Sequence, residues 1–127
     1  NTTPMLDTLQ RYSSFEKINS GKTRISVGAS NVCTGELVFF DNTKHKMKPE
    51  HILASGSLPP AFPPQRIDGD LYWDGGCVSN TPLEVVMHEL PHKRTLVFVV
   101  DLWNAYGDEP TNMEEVSHRM NNEGRLA

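Results

Sequence analysis

A carboxylate followed by two glycines is the first feature of this sequence that could perform chemistry. Asp74 stands directly before Gly75 and Gly76 and directly after the strand-forming residues 71–73. Glycines permit positive φ and a close approach of another backbone segment, and ligands of open α/β sheets bind at the carboxyl ends of strands. A carboxylate in such a place can act as a general base. Because Asp and Gly also dominate ordinary turns, a purely structural turn is the alternative interpretation.

Residues 88–92 read HELPH and match the zinc-protease pattern H-E-x-x-H. That pattern needs two histidines on the same helical face to bind zinc, and a glutamate to act as the base. Here Pro91 lies within the required turn, where it removes a backbone donor and clashes with the carbonyl of Met87. The sequence therefore predicts a helix that ends at Glu89–Leu90 and is followed by an exposed loop, and it disfavours a zinc protease.

A nucleophile to accompany the carboxylate is not evident in the sequence. The nucleophile elbow of serine hydrolases needs G-x-S-x-G, because the glycines relieve crowding at a strained turn, and these 127 residues contain no such segment. Ser55 and Ser57 flank Gly56 but lack the glycines two residues to each side. Cys33 and Cys77 have no histidine near them in the sequence, so a thiol nucleophile is no better supported.

The elements that must position Asp74 follow from apolar periodicity and from the placement of glycine and proline. Alternation predicts a β-hairpin, continuous apolar character predicts a buried strand, and prolines and capping residues mark helix starts. The predicted elements are a helix over 1–20, strands over 23–32 and 36–41, a helix over 49–55, a stiff and mostly extended proline connector over 59–64, a turn at Asp68-Gly69, a strand over 71–73, a helix from Asn80 or Thr81 to Leu90, a buried strand over 95–100, and a helix over 111–123 that begins with the capping-box pair Thr111 and Glu114.

Helices that alternate with strands indicate an α/β layered domain. Only residues 95–100 have the composition of a strand that is covered on both faces, whereas a layered sheet normally has several such strands. The sheet is therefore expected to be incomplete, with exposed edges and apolar faces. We expect such a chain either to associate with another part of its own domain or to self-associate.

Length and charge exclude several classes of protein. The 127 residues correspond to one domain, and the net charge of −4 argues against nucleic acid or an anionic membrane surface as a partner. Two cysteines exclude a disulfide-dense scaffold and fit a reducing cytoplasm. The apolar runs are too short for a transmembrane segment. The chain begins with Asn1 rather than Met, as expected of a piece of a longer polypeptide.

Three ordered blocks of the sequence resemble the patatin-like phospholipases. Residues 54–64 (ASGSLPPAFPP) are similar to the A-S-x-x-x-P-x-x-F-x-P block of that family. Residues 72–76 (YWDGG) resemble its D-G-[GA] motif, and residues 79–82 (SNTP) resemble the N-x-P segment that follows the motif. The hairpin before these blocks and the apolar run after them also look like bacterial members, so the resemblance covers nearly the whole chain.

The resemblance implies a three-layer α/β/α patatin-like fold, incomplete in this chain, with residues 1–127 as the carboxyl-terminal part of a single domain. It also implies a hydrolase of lipid acyl esters with a serine–aspartate dyad, which needs no metal or other cofactor. Asp74 would take the proton from a serine in an upstream G-x-S-x-G, with Gly75 and Gly76 as its structural partners. The serine elbow and the glycine-rich oxyanion loop of the family have no counterpart in these residues.

From the resemblance we expect Leu58 and Phe62 to line an acyl-binding groove whose wall is shaped by residues 59–64, although plain core packing is the alternative for Phe62. The expected partners are a lipid or acyl-ester substrate and the missing amino-terminal part of the domain. The chain alone is predicted to be inactive. The alternative from another functional class is a non-catalytic relative that binds lipids or a protein through the same groove.

Overall fold

The structure is a computed structural model that describes residues 2–79, 83–87, 94–100 and 109–116. The chain divides into two units, Asn1–Val78 and Ser79–Ala127. The helices and strands of the first unit are α1 (Thr3–Tyr12), α2 (Phe15–Asn19), β1 (Ser26–Asn31), β2 (Leu37–Asp41), α3 (Pro49–Ser55), β3 (Gln65–Ile67), β4 (Asp70–Asp74) and a 3-10 helix (Gly75–Cys77). The second unit contains α4 (Glu84–Met87) and a helical turn at residues 113–116.

The four strands form one antiparallel sheet in the order β2-β1-β4-β3. The predicted hairpin of the first two strands is confirmed, with Ser26 paired to Asp41 and Gly28 paired to Phe39. A second hairpin joins β3 to β4 through Asp68 and Gly69, which both have positive φ, as the commonest two-residue hairpin turn requires. The sequence predicted this turn and β4, but it did not predict β3.

The core of the first unit lies where the sheet meets α3. Phe40 is the central ring of the core, with the Tyr72 ring packed edge-on at 5.2 Å and the His51 ring at 4.6 Å. The buried apolar residues that pack together are Ala29, Phe40, Met47, Ala54, Ile67 and Tyr72. Helices that pack against a four-stranded sheet agree with the predicted α/β class and are compatible with an incomplete domain.

The first predicted helix is two helices. Ser13 leaves the helical conformation with φ −119° and ψ 137°, and the Ser14 hydroxyl then accepts a hydrogen bond from the Lys17 backbone N–H to begin α2. Serine is a favoured N-cap residue, so a second helix begins after Ser14 although the apolar periodicity continues across the break. The prediction of a helix over 49–55 is confirmed, with Pro49 in its first turn.

The prediction of an extended connector over 59–64 was wrong. Residues 59–62 form a turn, the Pro59–Pro60 peptide bond is cis, and the Phe62 N–H donates to the Leu58 carbonyl at 3.0 Å. Proline fixes φ near −65°, and that value suits turns as well as extended chain. The composition alone therefore does not distinguish the two conformations.

The prediction of a buried strand over 95–100 was also wrong. Residues 94–100 form neither helix nor strand, and Leu96 and Phe98 are 80% and 83% exposed. An apolar run becomes a central strand only where neighbouring strands and covering helices exist. Within the described residues of the second unit no strand is available to pair with it.

The last predicted helix begins one residue later than its capping pattern suggested. Asn112, rather than Thr111, accepts a hydrogen bond from the Glu115 N–H at 2.9 Å. Glu115, rather than Glu114, accepts hydrogen bonds from the N–H and hydroxyl of Thr111. The predicted helix caps Asn80 and Thr81, the HELPH segment, and the remainder of 111–123 lie outside the described residues. Throughout the part of the chain that the structure describes, every helix is too short or too polar to cross a bilayer.

Candidate active site

Asp74 is the last residue of β4 and the N-cap of the 3-10 helix that follows. Its Oδ1 accepts a hydrogen bond from the Gly76 backbone N–H at 2.8 Å, which is the ordinary capping interaction of an aspartate. The side chain is half-buried. The β-strand and the cap together restrict the carboxylate to one region at the end of the strand.

Gly75 is required by a close approach of two backbones. It is buried, and a Cβ at this position would stand 2.6 Å from the Gly28 carbonyl oxygen and 2.7 Å from its carbon. No side chain fits at such a distance, so any other residue would push β1 and the 3-10 helix apart. The glycine after Asp74 therefore serves to bring β1 against the end of β4, which a simple turn would not require.

The backbone of Asp74 is held from two sides. Its N–H donates to the Ser57 carbonyl at 3.0 Å, and its carbonyl accepts from the Ser30 hydroxyl at 3.0 Å. Ser30 and Ser57 are 4% and 2% exposed. We call Ser30, Ser57 and Asp74 the Asp74 clamp. Ser30 on β1 and Ser57 after α3 together fix the backbone of Asp74, and the backbone carries the carboxylate.

The carboxylate of Asp74 retains the capacity to accept further hydrogen bonds. An ionised carboxylate offers about four acceptor positions, and the hydrogen bond from Gly76 occupies one of them. Among the described residues the ion pair is formed by Arg24 and Asp41, so Asp74 is not neutralised by a salt bridge there. The carboxylate is thus positioned and half-buried, and the described residues leave acceptor positions on it.

An apolar cleft of about 250 Å³ lies between α1 and α3. Its lining residues are Thr2, Pro4, Met5, Leu9, Ile52, Leu53, Gly56, Ser57 and Phe62. Phe62 is 47% exposed and belongs to the lining, whereas Leu58 does not. Ser57 lines the cleft with one part of its surface and binds Asp74 through its carbonyl, so the cleft wall and the acid share a residue.

Ser57, one of the serines weighed from the sequence, is not available as a nucleophile. The Ser57 hydroxyl is buried and donates to the Leu53 carbonyl at 2.7 Å, so its proton is already engaged away from the Asp74 carboxylate. Ser55 ends α3. Cys33 and Cys77 are exposed thiols. No group of three or more His, Cys, Asp or Glu side chains suited to a metal ion occurs in the described ranges.

A second acid that sequence reasoning missed lies at the end of β2. Asp41 is 2% exposed and accepts hydrogen bonds from the Arg24 guanidinium, the Ser26 hydroxyl, and both the N–H and hydroxyl of Thr43. Burial by itself raises the pKa of Asp41, but these donors outweigh it and hold the pKa well below its usual range. The turn residues Asp41-Asn42-Thr43 were the available signal, since such residues bond their own backbone.

A comparison with known protein families identifies the chain. The family model of the patatin-like phospholipases matches residues 1–87, which are 87 of the 127 residues and include Asp74, Gly75 and Gly76. The chain therefore belongs to the patatin-like phospholipase family, a family of lipid hydrolases. No curated protein matches the chain significantly.

Proposed function

We propose that this chain, as a member of the patatin-like phospholipase family, supplies the general base of a lipid acyl-ester hydrolase, and that Asp74 is that base. The observation that carries the proposal is the Asp74 clamp together with the carboxylate, which accepts a single hydrogen bond from the residues that the structure describes. A base must be rigidly placed and must still have an acceptor position for the proton that it removes. Asp74 meets both requirements.

The proposed partner of Asp74 is a serine that lies outside these 127 residues, in a G-x-S-x-G segment of the kind that the family resemblance implies. The serine oxygen attacks the ester carbonyl while its proton passes to Asp74, and the proton then leaves with the alcohol product. Water then attacks the acyl–serine ester and gives a proton to Asp74, which passes it to the serine oxygen as the acyl–serine bond breaks and the carboxylic acid leaves. This serine–aspartate dyad needs no metal or other cofactor.

The apolar cleft is proposed to hold the acyl chain of the substrate. Phe62 and the α3 residues Ile52 and Leu53 supply apolar surface, and hydrocarbon chains gain free energy roughly in proportion to the apolar area removed from water. Leu58 contributes through its carbonyl, which accepts the Phe62 N–H and so fixes the turn that presents the ring. Ser57 places this cleft next to the base.

Two further points belong to the proposal. Residues 1–127 form the carboxyl-terminal part of one patatin-like domain, and the amino-terminal part of that domain is the partner that completes the site. The two exposed thiols, Cys33 and Cys77, support a location in a reducing compartment such as the cytoplasm, because secreted proteins usually carry their cysteines as disulfides.

A non-catalytic lipid-binding or protein-binding relative is the second candidate. It is favoured by one observation, namely that α1 and α3 form the apolar cleft within a chain that contains no G-x-S-x-G. Such a protein would use the cleft without the chemistry at Asp74.

The test is an ester-hydrolysis assay with a short-chain nitrophenyl ester, on the 127-residue chain alone and on the polypeptide extended to include an upstream G-x-S-x-G. We expect no turnover by the chain alone and turnover by the extended polypeptide. Turnover by the chain alone would place the nucleophile within these residues. An inactive extended polypeptide that still binds a fatty acid would favour the non-catalytic alternative.

A further inference from the structure

We infer that Ser30 is a positioning residue for Asp74, acting through the hydrogen bond from its hydroxyl to the Asp74 carbonyl. The inference deepens the proposed function, on which it rests, because it concerns the placement of the proposed base.

The ladder between β3 and β4 stops before it reaches Asp74. Gln65 is the last residue of β3 to pair, and its partner is Tyr72. If the same register continued, Pro64 would stand opposite Trp73 and Pro63 opposite Asp74. Proline has no N–H and cannot donate to a ladder, so β3 offers Asp74 no donor for its carbonyl.

The Ser30 hydroxyl supplies a donor from β1, in addition to the first helical N–H that the carbonyl of an N-cap residue accepts. Its oxygen lies 3.0 Å from the Asp74 carbonyl oxygen, and the side chain is buried, so water has little access to the same position. Loss of a hydrogen bond at a position that water hardly reaches is costly, and without the hydroxyl the end of β4 loses its side-chain link to β1, so that the Asp74 carbonyl can shift. The Asp74 carbonyl and the Asp74 side chain are bonded to the same Cα, so such a shift would move the carboxylate.

Three consecutive residues of β1 shape the end of β4. Gly28 contacts the Gly75 backbone, Ala29 pairs with Asp74, and Ser30 holds the Asp74 carbonyl. Two of these contacts are made by backbone or by the absence of a side chain. The other half of the clamp is the Ser57 carbonyl, which substitution does not remove. The Ser30 hydroxyl is therefore the contact that a point mutation can delete most cleanly.

The test compares Ser30→Ala and Ser30→Thr in the extended, active polypeptide. Misplacing a catalytic group by about 1 Å can cost on the order of 100-fold in rate, so we expect kcat to fall ~10-fold or more in Ser30→Ala, with KM unchanged. Ser30→Thr keeps the hydroxyl and should restore most of the rate. In the 127-residue chain, the carbonyl ¹³C shift of Asp74 should change in Ser30→Ala and return toward the wild-type value in Ser30→Thr.

Ser26→Ala is the matched control, because Ser26 lies on the same strand and donates its hydroxyl to Asp41. It should lower stability without lowering kcat. The inference is overturned if Ser30→Ala has normal kcat, if Ser30→Thr is as slow as Ser30→Ala, or if Ser26→Ala is equally slow. Failure of the proposed function is recognised separately, since Asp74→Asn would then keep its activity; that result also overturns a positioning role in catalysis.

Discussion

Two aspartates end two strands that flank the same central strand, and their surroundings are opposite. Asp41 ends β2 and pairs with Ser26 of β1, while Asp74 ends β4 and pairs with Ala29. The Asp41 carboxylate accepts four hydrogen bonds and forms an ion pair with Arg24. Among the described residues the Asp74 carboxylate accepts one hydrogen bond, from Gly76, and the Asp74 backbone makes the other hydrogen bonds.

The difference supports the proposal that Asp41 is a structural acid and Asp74 a reacting one. The donors around Asp41 favour its charged form so strongly that it has little tendency to take a proton. Asp74 is held in place through its peptide, so its carboxylate keeps free acceptor positions. A strand end can thus position a carboxylate either by saturating it or by clamping the backbone beneath it, and only the second arrangement suits a general base.

The largest expected effect is that of Asp74→Asn on turnover. Loss of a general base lowers kcat by about 100-fold to 10,000-fold, and steady-state kinetics of the extended polypeptide measure this directly. Asn caps a helix about as well as Asp, so the urea midpoint of the 127-residue chain should be unchanged. Near-normal turnover would remove Asp74 from the mechanism.

Asp41→Asn should lower the stability of the chain rather than its turnover. It exchanges charge-assisted hydrogen bonds for neutral ones and places an amide where donors converge, which should cost about 2 kcal/mol of unfolding free energy. Urea denaturation of the chain measures the loss, with Asp74→Asn as its matched control. If both variants unfolded at the same urea concentration, the proposed division between the two acids would be wrong.

The stability that Asp41 contributes should depend on pH. The pKa of Asp41 is lowered in the folded chain, so the unfolded state binds a proton at higher pH than the folded state does. The stability that Asp41 contributes is therefore complete above the ordinary carboxyl range and is lost as pH falls through about 4 toward the folded pKa. Urea midpoints of wild type and Asp41→Asn should converge below pH 4, and a constant gap would contradict the argument.

The protonation of His51 also makes stability depend on pH, and its contribution must be distinguished from that of the carboxylates. Burial lowers the pKa of His51, and its Nδ1 accepts the Lys48 backbone N–H at 2.9 Å. The unfolded state therefore gains a proton first on acidification, so stability is lost as pH falls below about 6.5. His51→Asn should remove this loss between pH 7 and 5 while leaving the loss below pH 4. Retention of the first loss would assign it to another group.

The smallest expected effect is that of Arg24→Ala. The Arg24 side chain is 35% exposed, in contrast to 3% for Asp41, and solvent screens a pair of this kind. We expect a loss of about 0.5–1 kcal/mol, smaller than that of Asp41→Asn. A loss as large as that of Asp41→Asn would mean that the ion pair, rather than the hydroxyl and backbone donors, stabilises the buried acid.

Local patterns predicted the local parts of this molecule well. The β1–β2 hairpin follows from alternation over consecutive residues, and the Pro49 helix start and the Asp68-Gly69 turn follow from single backbone preferences. The failures came where a distant partner decides the conformation. Residues 95–100 lack a strand to pair with in the described part of their unit. Residues 59–62 instead show that proline-rich composition does not distinguish a turn from extended chain, since the turn is closed by the local hydrogen bond from Phe62 to Leu58.

By itself the sequence determined the family, the α/β class and the position of Asp74 before two glycines, because each depends on the order of neighbouring residues. Only the tertiary structure decided why Gly75 must be glycine and how Asp74 is clamped. The Gly28 contact and the Ser30 hydrogen bond join residues that are far apart in the chain, 44 positions in the case of Ser30 and Asp74. Such contacts leave no periodic signal, since they arise only when β1 pairs with β4.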